Sequence, residues 1–151
     1  MVIAFFGHAH YFQRDDDERK ILYLLKDRVE DEPSELYFGG YGQFDSFAAR
    51  CGRKYKQEHP NTRLIFITPY ITVEYQKNQL EYARYMYDDI IYPALERVPL
   101  RFAIPHRNRW MAESADLVIC YVNCTWGGAY KACLHAKKKG KEIINLAGME
   151  I

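Results

Sequence analysis

Apolar residues recur along this chain in two alternating rhythms. Val2–Phe6 is a short apolar run that stops at Gly7, the pattern of a buried strand. Asp15-Asp16-Asp17 then supply a cap and negative charge where a helix should begin, and Ile21, Leu22, Leu25 and Val29 follow at helical spacing. Leu36–Phe38 predicts a second strand running into Gly39-Gly40. Phe44, Phe47, Ala48, Cys51 and Tyr55 recur at i, i+3, i+4, i+7 and i+11, the inward stripe of a helix. Leu64–Thr68 reads as a third strand stopped by Pro69, residues 72–86 as a helix, and Ile90–Tyr92 as a fourth strand before Pro93. Pro105 suits the first turn of a helix over residues 104–115. Asp116–Val122 is apolar along most of its length, as a strand covered on both faces should be. Ala129, Cys133 and Ala136 mark a last helix, closed by Lys137-Lys138-Lys139 and Gly140, and Ile143–Leu146 predicts the final strand.

Strand and helix alternate throughout, with no linker, repeat or low-complexity tract. At 151 residues this predicts one doubly wound α/β domain, with a mainly parallel sheet and helices on both faces. Such sheets bind ligands in the crevice outside the carboxyl ends of their strands, near the switch in strand order. The segments to search are therefore Gly7–His10, Gly39–Asp45, Thr68–Tyr70 and Asn123–Gly128.

Two of these segments are rich in glycine and open into helices. Gly39-Gly40-Tyr41-Gly42 allows close backbone approach, and the helix beyond offers unpaired N–H groups and the positive end of its dipole. The alternative is a tight turn with no ligand. Thr125-Trp126-Gly127-Gly128 repeats the arrangement at the same end of the predicted sheet, with Trp126 available to stack on a base. On a helix over 104–115, Ile104, Met111 and Ala115 define the inward stripe. Arg107 and Asn108 fall on it near the helix start, and Arg109 points away. An inward arginine needs an anionic partner, which is either an internal carboxylate such as Asp45 or Asp116, or a bound phosphate. His8, at the predicted crevice mouth, suits a phosphate contact or acid–base work, against a loop-capping role.

Composition removes several classes. Charged residues make up 27% and the formal net charge is +1, so no whole-molecule field draws the chain to nucleic acid or anionic membrane. No apolar run approaches the ~20 residues of a membrane span, and the start of the chain lacks a signal-peptide pattern. Cys51, Cys120, Cys124 and Cys133 lack the spacings of a zinc site and read as reduced packing residues, so no metal is expected. Neither G-x-x-x-x-G-K-[ST] nor a G-x-G-x-x-G after the first strand is present, which argues against a P-loop ATPase or a standard nicotinamide dehydrogenase.

The motifs together resemble the SLOG superfamily, the Rossmann-like group that includes Smf/DprA proteins, YpsA-type proteins and LOG-type phosphoribohydrolases. The resemblance covers essentially the whole chain and is nearest to small bacterial members of the YpsA-like branch. Gly39-Gly40-Tyr41-Gly42-Gln43-Phe44-Asp45, with Ala48, is similar to the group's G-G-x-x-G-[VI]-D-x-x-A, with Gln43 standing where the group has glycine. Arg107-Asn108-Arg109-Trp110-Met111 resembles the R-K-x-x-M of the LOG enzymes, and Gly127-Gly128 the start of their G-G-x-G-T-x-x-E. The final glutamate of that motif serves N-glycosidic cleavage, and Leu134 stands in its place. Tyr130 and Lys131 replace its glycine and threonine.

The resemblance therefore implies binding or sensing of a nucleotide or nucleotide-derived ligand, ADP-ribose-like or a nucleoside phosphate, at the C-terminal edge of the sheet. The expected ligand residues are Gly7, His8, Gly39, Gly40, Tyr41, Gly42, Asp45, Thr68, Arg107, Asn108, Trp126, Gly127 and Gly128. Asp45, Arg107 and His8 are the candidates for any catalysis. No cofactor is required beyond the bound nucleotide or phosphate itself. The alternatives are a nucleoside-monophosphate N-glycosidic hydrolase and a single-stranded nucleic-acid-binding domain of the Smf/DprA type, the latter disfavoured by charge. The expected location is cytoplasmic. Six of the thirteen tyrosines lie between Tyr70 and Tyr92, as edge packing or as the face of a homodimer.

Overall fold

The computed structural model describes residues 1–151. Its six strands are β1 (Val2–Gly7), β2 (Ser34–Phe38), β3 (Thr62–Ile67), β4 (Asp89–Ile91), β5 (Leu117–Tyr121) and β6 (Glu142–Asn145). They pair in the order β4-β3-β2-β1-β5-β6, every pair parallel. The alternation of strand and helix suits this, because parallel neighbours need a crossover between them and each intervening helix supplies one. The order reverses between β1 and β5, and that is where the crevice opens.

Both faces are covered, as the apolar strands predict. From β1, Ile3 and Phe5 face α1 (Asp17–Val29) and α2 (Gln43–Glu58), where Ile21, Leu25, Phe44 and Cys51 meet them. Ala4 and Phe6 face the other layer, α5 (Ala103–Ser114) and α6 (Gly127–Lys138), and join Met111, Val118, Cys133 and Ala136. The period-two alternation of side chains along each strand feeds the two cores separately. Cys51, Cys120 and Cys133 are buried free thiols, while Cys124 is only partly covered. No helix is long and apolar enough to cross a membrane.

Three local expectations change. The acidic run before α1 does not cap it: Asp16 occupies the cap position, but its carboxylate accepts from Arg19 Nη2 at 2.9 Å and from no helix amide, and Asp17 is fully buried. Asp17 accepts from the Tyr11 hydroxyl and from Arg14 Nη2 at 3.0 Å and Nε at 3.1 Å, while Arg14 Nη2 also donates to Leu146 O at 2.6 Å. A buried carboxylate thus pins the loop after β1 instead of facing solvent. Second, the helix read over 72–86 forms as α3 (Val73–Tyr75) and α4 (Glu81–Met86), joined by a π-helical turn at Gln76–Leu80. Of the tyrosines there, Tyr87 packs against Phe38 and Phe66, whereas Tyr82 and Tyr85 face outward. Third, Ile104 is not part of the α5 core stripe, which runs through Ala103, Arg107 and Met111; Ile104 is exposed at the crevice rim.

Candidate functional site

A cleft of about 530 Å³ lies outside the carboxyl ends of β1 and β5. That size is within the ~300–1,000 Å³ typical of small-molecule sites. Gly7 and His8 come to it from β1, Gly39, Tyr41 and Asp45 from the β2–α2 turn, Arg107 and Asn108 from α5, and Trp126, Gly127 and Gly128 from the start of α6. The structure does not bring Gly40, Gly42 or Thr68 to it. Thr68 is buried, its Oγ1 donating to Tyr70 O at 2.8 Å and accepting from Tyr70 N at 3.3 Å. His10, Ile104, Asn123 and Cys124 line the cleft beside the expected residues.

The two glycine turns look alike in sequence but differ in what their amides do. At the first, the Asp45 carboxylate reaches back from α2 and accepts from Gly40 N at 2.6 Å and Gly39 N at 3.3 Å. Gln43 N, at the start of α2, donates to Ala9 O at 2.9 Å, and the Gln43 side chain accepts from Tyr11 N at 2.8 Å. The residue that replaces a motif glycine therefore clamps the β1 loop onto α2. These amides are spent inside the protein.

Gly40 itself turns away from the cleft, with φ +73° and space for a Cβ only 2.1 Å from the Phe66 ring. Gly40→Ala is accordingly expected to lower the unfolding free energy by about 1–3 kcal/mol through overpacking and left-handed strain. Urea denaturation checks this. A variant as stable as the parent would mean that Phe66 rotates aside without cost.

At the second turn the amides are open. Trp126 caps α6 with extended backbone and no side-chain bond, and the N–H groups of Gly127, Gly128 and Ala129 have no acceptor in the protein. Nothing stands within 4 Å of a Cβ placed on Gly127, and Gly128 meets only Asn108 Nδ2 at 4.0 Å. A first helical turn with free donors and the positive dipole end is suited to an anion.

Arg107 closes the floor. It is 4% exposed, and Nη1 donates to Gly39 O at 2.9 Å and Ile67 O at 2.8 Å, while Nε donates to Asn108 Oδ1 at 2.9 Å. Nη2 has no acceptor in the protein. Neither carboxylate weighed as its partner pairs with it. Asp116 lies at the opposite end of the sheet, where it accepts from Val2 N at 2.7 Å. Asp45 acts on it only through space, and burial holds the guanidinium below its ordinary range despite that attraction. Gly39 lies close against the guanidinium, where a Cβ would sit 3.0 Å from Nη2 and press on it. The Arg107–Asn108 bond also fixes the Asn108 amide, so its nitrogen faces Gly128.

Asp45 is the one carboxylate lining the cleft. Burial pushes its pKa up to about 6, against the pull of the Gly40 amide, Arg107 and the Gly39 amide. The His8 ring accepts from Asn123 N through Nε2 at 3.0 Å, with Cys124 Sγ 3.7 Å from the same nitrogen. That bond makes His8 a loop cap and leaves Nδ1 for a ligand. Tyr41 and Trp126 are 78% and 71% exposed, so both rings are free to stack. No group of three or more metal-ligating side chains occurs.

No protein-family model matches the chain, and no curated protein matches it in sequence. Among solved structures it is similar to DNA processing protein A (DprA) from Streptococcus pneumoniae, with 16% identity and a TM-score of 0.60 over 93% of this chain and 48% of that one. DprA from Helicobacter pylori, described for its single-stranded DNA binding mode, gives 15% identity and 0.59 over 95% and 63%. TM1055, a structural-genomics target, gives 14% identity and 0.62 over 97% and 74%. The chain spans about half to two-thirds of the length of the two DprA chains. At these identities the likeness is one of fold alone.

Proposed function

We propose that this chain, which has the fold of the SLOG superfamily, binds a nucleotide or nucleotide-derived ligand in the β1–β5 cleft and works in the cytoplasm. The observation that carries the reading is the unmatched donor set. Arg107 is almost wholly buried, yet its Nη2 has no acceptor, and the first three amides of α6 and Asn108 Nδ2 beside it have none either. Arg107 Nη2, Asn108 Nδ2 and the α6 amides open onto the cleft and are not sealed inside the protein, and a set made almost wholly of donors, one of them on a guanidinium, suits an anion. Exposed Tyr41 and Trp126 suit a base at the mouth, with phosphate at the floor.

Catalysis finds less support. Leu134 lies on α6 outside the cleft, and leucine neither activates water nor stabilises an oxocarbenium-like sugar. Asp45 is already engaged by two amides. Calorimetry with AMP and cytidine monophosphate should show binding, while chromatography of the same mixtures should show no free base. Failure of both nucleotides to bind would overturn the reading. Base release near ~1 s⁻¹, the low end of typical enzymes, would replace it with the hydrolase alternative.

The likeness to the Helicobacter pylori protein favours a second reading, single-stranded nucleic-acid binding. Its mark would be oligonucleotide affinity falling steeply with salt. A net charge of +1 argues for the smaller ligand.

A further inference from the structure

The cleft runs sideways into a second depression of about 270 Å³ between α5 and α6, and Ile104, Asn108 and Gly128 line both. Its rim is basic. Arg109 projects from α5, and Lys131 and Lys138 from α6. None of the three has a carboxylate within salt-bridge distance, and Glu113, the acid beside this groove, is occupied by His135 at 2.8 Å and Lys139 at 3.7 Å. Buried Ala132, with Leu134, Ile104 and Pro105, gives the groove an apolar lining. Lys131 is three residues beyond Gly128, a rise of ~4.5 Å along the helix, whereas Lys138 is ten residues on, ~15 Å away.

We infer that this groove seats the second phosphate of a diphosphate-bridged nucleotide, between Arg109 and Lys131, with the distal sugar on the apolar lining. The inference rests on the nucleotide reading of the cleft and names the class of nucleotide. One phosphate takes the free amides of α6 and Arg107. The next, one step along α6, meets two cations that nothing in the protein neutralises. A planar guanidinium and an ammonium from facing helices match phosphate oxygens better than either alone. Leu134, apolar where a hydrolytic glutamate would stand, gives a sugar a surface to lie on and no group to cleave it.

AMP and ADP-ribose serve as probes, compared by calorimetry at about pH 8, where the two carry similar charge. A difference between them then reports the second phosphate and sugar instead of bulk attraction. ADP-ribose is expected to bind at least about tenfold more tightly than AMP. The double variant Arg109→Ala/Lys131→Ala should remove that advantage and leave AMP affinity unchanged. Lys138→Ala, too far along α6, should keep it. These are exposed positions, so all three proteins should share one unfolding midpoint.

Equal affinities in the parent, an advantage that survives the double variant, or an equal loss in Lys138→Ala would overturn the inference. AMP binding without an ADP-ribose advantage sinks this inference alone. If neither probe binds, the nucleotide reading falls with it.

Discussion

Arg107→Ala is expected to weaken AMP binding by about two orders of magnitude while the protein stays folded. The loss corresponds to about 2–3 kcal/mol, the scale of a charge-assisted hydrogen bond made at a desolvated site. Nη2 is the group at stake, since Nη1 and Nε are bound to Gly39 O, Ile67 O and Asn108 Oδ1. Removing the guanidinium also leaves two backbone carbonyls without their donor, so stability should fall as well. The readout must therefore separate the two effects. Circular dichroism and urea denaturation establish the folded fraction, and calorimetry is done well below the midpoint. Arg107→Lys supplies the second arm: it keeps a cation on the floor but cannot serve Gly39 O, Ile67 O and a ligand with one fork. Its AMP affinity should lie between those of the parent and Arg107→Ala. AMP affinity within about threefold of the parent in a folded Arg107→Ala protein would remove Arg107 from the site.

The inward placement of Arg107 was readable because it stands one helical repeat before Met111, and a strong core residue fixes the face of everything four positions away. Ile104 escapes the same logic because the buried stripe passes from Arg107 to Ala103, four residues back, and this turns Ile104 to the cleft rim. The strands were legible for a related reason. A parallel sheet covered on both faces writes unbroken apolar runs, and Asp116–Val122 contains β5 with one residue to spare at each end. What periodicity does not encode is the use of each amide. Gly39–Gly40 and Gly127–Gly128 read alike, yet the amides of one turn are taken by a carboxylate five or six residues downstream and those of the other by no acceptor of the protein. The difference lies in side-chain direction at the start of α2, and in a loop after β1 held by Asp17 and Gln43. Such long-range bonds leave no local pattern. Asp17 shows the same limit: a third aspartate before a helix looks like a cap until Tyr11 and Arg14 fold over it.

Asp45 should set the pH dependence of both stability and binding. Asp45 is 6% exposed, and burial pushes its pKa up to about 6 from an ordinary 3.8. A carboxyl with a raised native pKa holds its proton more tightly folded than unfolded. Between about pH 4 and pH 6 the native state therefore binds more protons, and this group's contribution to stability rises as pH falls through that window. Above about pH 6 the contribution is flat and unfavourable, by about 3 kcal/mol relative to acid. Asp17 and Asp88 have lowered pKa values, so their opposite effect begins only as pH falls through their unfolded value and below, outside most of this window. Urea denaturation across the window should show a slope in the parent that Asp45→Asn removes.

Binding follows the same proton. An anion seated beside Asp45 favours the neutral carboxyl, so affinity should rise as pH falls toward about 6 and level off below it. The slope approaches tenfold per pH unit where one proton is taken up. Sulfate is the suitable probe, because its own charge does not change in this range. Calorimetry in two buffers of different ionisation enthalpy should register proton uptake in the parent and none in Asp45→Asn. In Arg107→Ala the carboxyl loses its nearby positive charge, so the stability slope should extend to higher pH. A slope that persists in Asp45→Asn, or stays unmoved in Arg107→Ala, would assign the titration to another group and uncouple Asp45 from the floor of the cleft.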